Sequence, residues 1–425
     1  MMTYRKRIAD GLLADMLASA GAVLIEGPKW CGKTTTAEQA AASVLYVDEP
    51  KKKPQNILLA KTMPEALLEG AKPRLLDEWQ LAPELWDAVR FTADHSVGFG
   101  QFILTGSSVP PQSDAMSHTG TGRFSWLKMR PMALWESGES SGGLSISTLF
   151  DGKGPFAARA LEKSLRGMAA IVCRGGWPQA LDLPSRLSFS PARRYVDAVA
   201  KKDISRVDGV ARDEIRARRL LRSYARLQGS QAAVSVIRRD LETNEMTAFD
   251  DDTIYSYLKA LRAIFVIEDM PAWSPNLRSK DSVRTSDTRY FVDPSIGAAA
   301  LGVGPDDLMN DLPTLGLFFE TLAIRDLRIY MDALDGETLH YRDKTGLECD
   351  AVLHRRDGRY ALVEIKLGGD TLIEQGVRSL EKLAALIDSK KMPKPAFRMV
   401  LTAVGDMVYR RPDGIVVCPI TALKP

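Results

Sequence analysis

Residues 27–34 have the spacing of a loop that binds the phosphates of a nucleotide. They read GPKWCGKT and match the pattern G-x-x-x-x-G-K-[ST]. The glycines let backbone N–H groups curl around phosphate oxygens, and the N-terminus of a following helix adds positive potential. In this arrangement Lys33 reaches the β- and γ-phosphates and Thr34 binds Mg²⁺. We predict that the nucleotide is held by Gly27, Pro28, Lys29, Trp30, Cys31, Gly32, Lys33, Thr34 and Thr35.

An acidic pair downstream supplies the groups that nucleotide hydrolysis requires. The apolar run in RLLDEWQ, residues 74–80, ends in Asp77 and Glu78. We predict that Asp77 holds Mg²⁺ and that Glu78 polarises the attacking water as a general base. A further apolar run, GQFILTGSS, ends in polar residues, and the hydroxyl of Thr105 is predicted to sense the γ-phosphate. Taken alone, the acidic pair is also compatible with a turn at a strand end, but the upstream loop favours catalysis.

Two arginines in residues 110–136 are candidates for neutralising charge in the transition state. Arg123 follows a stretch rich in Gly, Ser and Thr, where a loop would return to the nucleotide. We predict that it acts either within its own chain or on the nucleotide of a neighbouring subunit. The alternative is an ordinary surface or packing arginine, which is the preferred interpretation of Arg130.

A second group of charged residues lies in the C-terminal part of the chain. Residues 347–366 read LECDAVLHRRDGRYALVEIK, and Glu364 and Lys366 point to the same side of a strand. Asp350 and Glu364 are predicted to share a divalent cation, and Glu320 adds a carboxylate from a preceding helix. Lys366 would orient a water or steady the phosphate while the metal supplies Lewis acidity. The pattern predicts phosphodiester cleavage, with a charged but non-cleaving hairpin as the alternative.

Both groups require elements that bring distant positions together. In the N-terminal part, apolar runs at residues 22–25, 74–80 and 100–108 alternate with helical segments. This alternation predicts an α/β fold with a parallel sheet and crossover helices. In the C-terminal part, a helix at residues 317–331 precedes three strand-like runs, another helix and a late strand. Helix–strand–strand–strand–helix–strand is the core order of restriction-endonuclease-like folds.

The middle of the chain is helical and basic. Residues 193–239 hold 13 Lys or Arg against 5 Asp or Glu, whereas the net charge of the whole chain is only +3. From Ile215 onward the pattern predicts three helices and a two-stranded ribbon, the layout of a winged helix. Such a module either reads nucleic acid or packs on its neighbour as a lid or coupler. In the first case the third helix would present Tyr255, Ser256, Lys259 and Arg262.

Length and composition set the outer limits of these interpretations. The chain has 425 residues with 45% hydrophobic and 26% charged residues, which is typical of two to four globular domains. No apolar run is long enough to span a bilayer, and the four scattered cysteines favour a reducing cytoplasm. The Ser- and Gly-rich residues 137–155 are typical of a linker. We predict domains at residues 1–140, 155–214, 215–300 and 301–425.

The motifs, taken in order, resemble a large group of prokaryotic AAA-type P-loop ATPases related to archaeal ATPases. The resemblance is carried by GPKWCGKTT, LLDEWQLAPELW, FILTGSS, TGRF…RPMALWE and RGGWP, and it continues to the C-terminus. It implies binding and hydrolysis of ATP with Mg²⁺, with residues 155–214 completing the ATPase. Trp30 and Cys31 depart from the smaller residues usual in such a loop. Residues 301–425 resemble the PD-(D/E)-x-K nuclease superfamily, with Glu320, Asp350, Glu364 and Lys366 in the positions of its signature.

These expectations combine into one leading interpretation and its alternatives. The leading one is a cytoplasmic ATPase coupled to a nuclease-like domain, with DNA or RNA and a second copy of the chain as candidate partners and no membrane. One alternative is an ATP-controlled signalling or assembly switch whose C-terminal domain is a non-cleaving platform. A small-molecule kinase is disfavoured by the long C-terminal half and by the Asp77–Glu78 pair.

Overall fold

The computed structural model describes residues 4–95, 98–107, 122–154, 157–274, 286–387 and 392–425. The chain divides into two compact units. The first comprises Met1–Pro131, Lys202–Arg212 and Lys259–Phe265, and the second comprises Met132–Lys201, Asp213–Leu258 and Val266–Pro425. Within the described ranges, every helix is too short or too polar to cross a membrane.

The first unit contains a five-stranded sheet in the order β2-β3-β4-β1-β5, and every strand pair in it is parallel. The predicted parallel sheet is therefore confirmed, and helices join β1 to β2, β2 to β3 and β3 to β4 as expected. The elements are α1 (Ile8–Leu17), β1 (Ala22–Glu26), α2 (Lys33–Ala40), β2 (Ser43–Tyr46), α3 (Lys53–Thr62), α4 (Pro64–Leu68), β3 (Arg74–Asp77), α5 (Glu84–His95), β4 (Phe102–Gly106) and β5 (Phe124–Lys128).

The strands of this sheet are apolar because side chains on both faces are buried. Two hydrophobic clusters use alternate residues of the central strand β1, since Leu24 belongs to one and Val23 and Ile25 to the other. Trp86 of α5 stacks on Phe124 of β5, with 4.1 Å between ring centroids. A parallel sheet covered on both faces reads as continuous hydrophobic runs rather than alternating ones, which is the pattern of the sequence.

The middle of the chain is helical, with one short strand. Its elements are β6 (Leu144–Ser145), α6 (Ile146–Phe150), α7 (Leu165–Arg174), α8 (Pro178–Leu181), α9 (Ser190–Ala198), α10 (Ile204–Arg206), α11 (Glu214–Arg226), α12 (Val234–Asn244), α13 (Asp251–Ala263), α14 (Pro294–Leu301) and α15 (Pro305–Asn310). The three predicted helices correspond to α11, α12 and α13. The two predicted ribbon strands reduce to antiparallel bridges, Ile267 with Phe291 and Met270 with Thr288. The winged-helix interpretation stays a prediction.

The C-terminal part forms a six-stranded sheet in the order β11-β12-β10-β9-β8-β7. Strand β10 runs parallel to β9 and β12, whereas the other pairs are antiparallel. The predicted helix and strand order is present, and three short strands follow it. The elements are α16 (Leu312–Ala333), β7 (Gly336–Arg342), β8 (Glu348–Arg355), β9 (Tyr360–Lys366), α17 (Asp370–Leu386), β10 (Arg398–Thr402), β11 (Tyr409–Arg410), β12 (Val416–Pro419) and β13 (Leu423–Lys424).

The Ser- and Gly-rich stretch predicted as a linker is an integral part of the second unit. Strand β6 pairs in parallel with β13. The hydroxyl of Ser140 donates to the carbonyl of Leu423, and that of Ser145 donates to the carbonyl of Pro425, both at 2.7 Å. The predicted segment 155–214 is also divided, because residues up to Lys201 belong to the second unit and Lys202–Arg212 to the first. The serines bind the end of the chain instead of forming a flexible connection.

A buried arginine with two carboxylates joins distant segments of the second unit. Arg325 on α16 donates to Asp293 at 2.8 Å and to Asp326 at 2.7 and 2.9 Å. The backbone N–H of Gly176, in the RGGWP stretch, donates to Asp293, and that of Leu134 donates to Asp326, both at 2.9 Å. Buried charges are tolerated when they are paired and hydrogen-bonded in this way. The RGGWP stretch thus has a structural role within this unit.

Candidate functional site

The phosphate loop follows β1 and has a backbone that requires glycine at its ends. Gly27 has a φ of +151° and Gly32 a φ of +103°, both in the region that L side chains rarely adopt. A Cβ on Gly27 would lie 2.0 Å from the carbonyl oxygen of Met129, so no larger residue fits there. Trp30 also has a positive φ, +67°. Trp30, which is larger than the residues usual at this position, therefore adopts a backbone conformation that is uncommon for residues other than glycine.

The side chains predicted to act on the nucleotide converge at the carboxyl end of the sheet. The Lys33 ammonium donates to the carbonyls of Gly27, at 2.9 Å, and Pro28, at 2.8 Å. The hydroxyl of Thr34 donates to Asp77 at 2.7 Å, and that of Thr105 donates to the same carboxylate oxygen at 2.5 Å. Asp77 and Thr105 are direct partners on the neighbouring strands β3 and β4. The structure therefore brings together residues separated by more than 70 positions in the sequence.

Glu78 is held in an unusual backbone conformation next to this cluster. Its φ of 56° and ψ of 40° are left-handed, and its carboxylate accepts a hydrogen bond from the side-chain amide of Gln80. Burial raises the pKa of Glu78, and the adjacent Asp77 carboxylate raises it further, while Lys33 and Gln80 act in the opposite direction. A carboxylate whose pKa is moved towards neutrality is better matched to removing a proton from water.

Further residues around the loop were not found from the sequence. The guanidinium of Arg7 donates to the backbone carbonyls of Cys31 and Arg130, each at 2.8 Å, which ties the loop to the segment after β5. The Lys29 ammonium lies 2.6 Å from a carboxylate oxygen of Asp203. Gln80 is a further such residue. No spacing rule connects these positions with the loop, so only the folded chain reveals them.

Arg123 lies at the opposite end of the sheet from the phosphate loop. Its carbonyl accepts from the N–H of Ala22, the first residue of β1, whereas Gly27 follows the last residue of that strand. Four steps along a strand amount to roughly 13 Å. The Arg123 guanidinium instead pairs with Asp94. This position does not suit the predicted action on a nucleotide in the same chain, so a role towards another chain and an ordinary surface ion pair are the interpretations that remain.

The C-terminal group forms a compact acid–lysine cluster, made of Glu320, Asp350, Glu364 and Lys366. The Lys366 ammonium lies 3.0 Å from Asp350 and 2.7 Å from Glu364. The same Asp350 oxygen accepts from the backbone N–H of Ile365 at 2.7 Å. Glu320, on α16, accepts a hydrogen bond from the hydroxyl of Tyr290. The convergence that the sequence predicted for these side chains is present.

The charges in this cluster perturb one another strongly. Burial raises the pKa of Glu320 to about 8, with the Asp350 carboxylate as the next cause. Burial followed by Asp350 also raises the pKa of Glu364 well above its usual value. For Lys366, burial alone would lower the pKa, but the carboxylates of Asp350 and Glu364 outweigh it and raise the pKa. One ammonium therefore stabilises two closely placed carboxylates.

The cluster does not form a complete metal site. Among the residues described, no group of three His, Cys, Asp or Glu side chains is placed to hold a metal ion. The Lys366 ammonium contacts both Asp350 and Glu364, the two predicted metal ligands. Its positive charge therefore lies where the charge of a metal ion was predicted. The Oε1 atom of Glu364 is buried and has no hydrogen-bond partner within the described residues. Metal binding by these two carboxylates stays a prediction.

Part of the basic excess of the middle segment is neutralised within the fold. On α11, arginines that the sequence left without partners form ion pairs with carboxylates elsewhere in the unit. These pairs are Arg218–Asp197, Arg222–Glu245 and Arg226–Asp240. On α13, Tyr255, Lys259 and Arg262 are exposed as predicted, and Ser256 is partly buried. Asp240 and Glu245 lie outside residues 193–239, so these pairs offset only part of the local charge of +8, and nucleic-acid binding at this position stays a prediction.

Comparison with protein families divides the chain into three regions. Residues 19–137 match the AAA domain model. Residues 166–307 match a domain of unknown function, DUF8612, and residues 315–423 match another domain of unknown function, DUF4143. The first match covers the phosphate loop, the acidic pair and Thr105. The N-terminal part of the chain is thus similar to AAA domains over the segment that contains the candidate nucleotide site.

Two mycobacterial proteins resemble the chain over nearly its whole length. They are the uncharacterized proteins Mb2031c of Mycobacterium bovis and Rv2008c of Mycobacterium tuberculosis. Each is 21% identical over 420 residues, which cover 98% of this chain and 84% of the relative. Among solved structures, the Walker-type ATPase PABY2304 of Pyrococcus abyssi aligns with a TM-score of 0.41 and 13% identity. That alignment covers 70% of this chain and 96% of the other.

Proposed function

We propose that this protein binds ATP together with Mg²⁺ and hydrolyses the ATP. The observation that carries the proposal is the pair of hydroxyls, Thr34 and Thr105, that donate to one carboxylate, Asp77, beside a glycine-bounded loop. A loop hydroxyl next to a strand-end carboxylate is the oxygen donor set that Mg²⁺ prefers. The hydroxyl of Thr105, on the adjacent strand β4, is placed next to the same carboxylate. The AAA domain match of residues 19–137 supports the same conclusion.

Each residue of the site has a defined part in this proposal. The loop N–H groups and Lys33 hold the phosphates, and Thr34 with Asp77 would hold Mg²⁺. A magnesium ion held there would supply positive charge that offsets the charge developing on the phosphates. Glu78 takes a proton from the attacking water, and its raised pKa, due first to burial, suits that task. The hydroxyl of Thr105 would sense the γ-phosphate, and it donates a hydrogen bond to Asp77.

The ATPase proposal is tested by paired substitutions. Lys33→Ala should weaken ATP binding and abolish hydrolysis, whereas Glu78→Gln should bind ATP and hydrolyse it slowly. Lys61→Ala, the same change at an exposed lysine of α3, serves as the control and should behave like the wild type. Binding is measured by calorimetry and hydrolysis by phosphate release. Wild-type turnover by Glu78→Gln would exclude Glu78 as the general base.

For Arg123 we propose a role towards the nucleotide of a second chain. Its position at the amino edge of the sheet, beside Ala22, supports this over action in its own chain. Arg123→Ala should then bind ATP without hydrolysing it. Mixing it with Glu78→Gln protein should restore part of the activity, because one mixed interface combines an intact Glu78 with an intact Arg123. Hydrolysis per chain that does not depend on protein concentration would contradict this role.

For the C-terminal domain we propose a role on nucleic acid that ATP controls, and the geometry supports a non-cleaving platform best. The Lys366 ammonium lies close to both Asp350 and Glu364 and stabilises both, so these carboxylates can lie close together without a metal ion. A restriction-endonuclease-like nuclease is the second candidate. It is favoured by the unpartnered Oε1 of Glu364, one oxygen that remains able to bind a divalent cation. Glu320 would add a further carboxylate in that case.

The two candidates are separated by one experiment on the full chain. Circular and linear DNA and RNA are incubated with the protein and Mg²⁺ or Mn²⁺, with and without ATP, and calorimetry measures cation binding. The platform predicts no cleavage and no cation binding that depends on Asp350 or Glu364. Cleavage that Asp350→Ala, Glu364→Ala and Lys366→Ala each abolish, while ATP binding persists, would establish the nuclease instead.

A further inference from the structure

We propose that the groove between the β7–β8 turn and α17 binds single-stranded nucleic acid and leads it to the acid–lysine cluster. The inference rests on the proposed role of the C-terminal domain on nucleic acid. The groove has a volume of about 730 Å³. The turn lines one wall, with Leu347 and Glu348 at its end, and one face of α17 lines the other, from Gln375 to Leu386.

The groove borders the cluster on both of its walls. Glu348 precedes Asp350 by two residues on β8, so both side chains project to the same side of a regular strand. On α17, Gln375 is followed by Gly376, where a Cβ would lie only 3.3 Å from the Cβ of Glu364. After burial and Asp350, the Glu348 carboxylate is among the further causes of the raised pKa of Glu364. The lining of the groove thus comes within two residues of Asp350 on β8, and on α17 it adjoins the residue that packs on Glu364.

The charges on the helical wall suit a phosphate backbone. Arg378 and Lys382 are exposed, line the groove and are four residues apart, so they are neighbours on one helix face. Within the described residues neither has a carboxylate partner, in contrast to the paired arginines of α11. Unpaired cations along a groove attract successive phosphates without reading sequence.

The remaining lining suits the bases of a single strand. Leu347 and Ala385 contribute apolar surface, and Leu386, which is 63% exposed, adds to it. A volume of about 730 Å³ lies in the range of small-molecule sites, so it holds a short part of a strand. Ser379 and Gln375 add hydrogen-bonding groups. The groove thus combines the two cations of α17 with apolar side chains on both walls, and Glu348 is the carboxylate in its lining.

The test compares two charge reversals of equal size in the full-length protein. Arg378→Glu with Lys382→Glu changes the groove, and Arg193→Glu with Arg194→Glu makes the same change at exposed arginines of α9. Fluorescence anisotropy of short labelled single-stranded DNA and RNA measures the affinity over a range of salt concentrations. We expect the groove variant to lose at least about tenfold in affinity, and its salt slope to fall by roughly 1.4 for two lost phosphate contacts.

The expected result for the control variant is an affinity within about twofold of the wild type. Equal loss in both variants, an absence of binding by the wild type, or equal competition by poly-glutamate would overturn the proposal. The anisotropy is recorded in EDTA, without a divalent cation, so that cleavage cannot alter the oligonucleotide during the measurement. Lys33→Ala should also bind the oligonucleotide in the absence of ATP. A failure of the groove is thereby distinguished from a failure of ATP hydrolysis or of cleavage.

Discussion

Replacing Arg325 by methionine should destabilise the second unit more than any exposed ion-pair substitution. The Arg325 side chain is 1% exposed, and both of its partners, Asp293 and Asp326, are fully buried. Methionine fills similar space but leaves two carboxylates without their cation. Breaking a buried pair by removing one partner costs about 3–5 kcal/mol. The remaining N–H donors, from Gly176 and Leu134, moderate this cost without removing it.

The cost should depend on pH, and its sign follows from Asp326. Burial raises the pKa of Asp326 to about 6, although Arg325 acts to lower it. The unfolded chain has an ordinary aspartate pKa of about 3.9, so the folded state binds the proton more tightly. The stability that this group contributes is present below about pH 4 and is lost as the pH rises through about 6. Without the guanidinium the folded pKa rises further, so the loss should be larger at pH 7.5 than at pH 5.

Urea unfolding at about pH 5 and pH 7.5 measures both effects, with hydrogen exchange in α16 as the local readout. Arg222→Met is the matched control, because Arg222 is 39% exposed and its partner Glu245 keeps Arg226. A pair at such a position contributes about 1 kcal/mol or less. A loss for Arg325→Met as small as that of the control, or one that is the same at both pH values, would refute the reasoning.

Three further outcomes are expected. Gly27→Ala should abolish ATP binding, measured by calorimetry, because its Cβ would lie 2.0 Å from the Met129 carbonyl oxygen. Gln80→Leu should shift the acid limb of the pH–rate profile to higher pH, because it removes a hydrogen bond that lowers the pKa of Glu78. An unchanged profile would exclude a positioning role for Gln80. Glu320→Gln should flatten the fall in melting temperature between about pH 5 and 8, because burial raises the pKa of Glu320 to about 8 and ionisation opposes folding; an unchanged fall would contradict this.

Local patterns were sufficient to predict the strands and helices that carry the two sites and the convergence of most of the side chains assigned to them. The glycine spacing around Lys33 and the strand-end Asp77 define their own geometry, because parallel strands place their carboxyl ends at one edge. The alternation of Glu364 and Lys366 on β9 likewise fixes which side they face. The location of these side chains follows from residue spacing within single strands and loops, so it can be predicted from the sequence.

What the sequence did not predict depends on long-range partners. The serines at 140 and 145 look like linker residues until the carbonyls of Leu423 and Pro425 accept their hydrogen bonds. Two arginines of α11, Arg222 and Arg226, pair with Glu245 and Asp240, which lie beyond that helix in the sequence. Arg123 follows a suitable motif, but only the pairing of β5 with β1 shows which end of the sheet it occupies. None of these partners is near in sequence, so composition alone gave the opposite expectation.

The interleaved path of the chain has a consequence for its synthesis on the ribosome. Lys29 of the phosphate loop cannot form its ion pair until Asp203, 174 residues later, has been synthesised. Ser145 cannot form its hydrogen bond until Pro425, 280 residues later, has been synthesised. At about 5–20 residues per second, the second interval lasts roughly 14 to 56 s. Throughout that time β6 lacks its partner strand. Neither unit can therefore be finished before the other has begun to emerge, and the nascent chain must remain soluble with both incomplete.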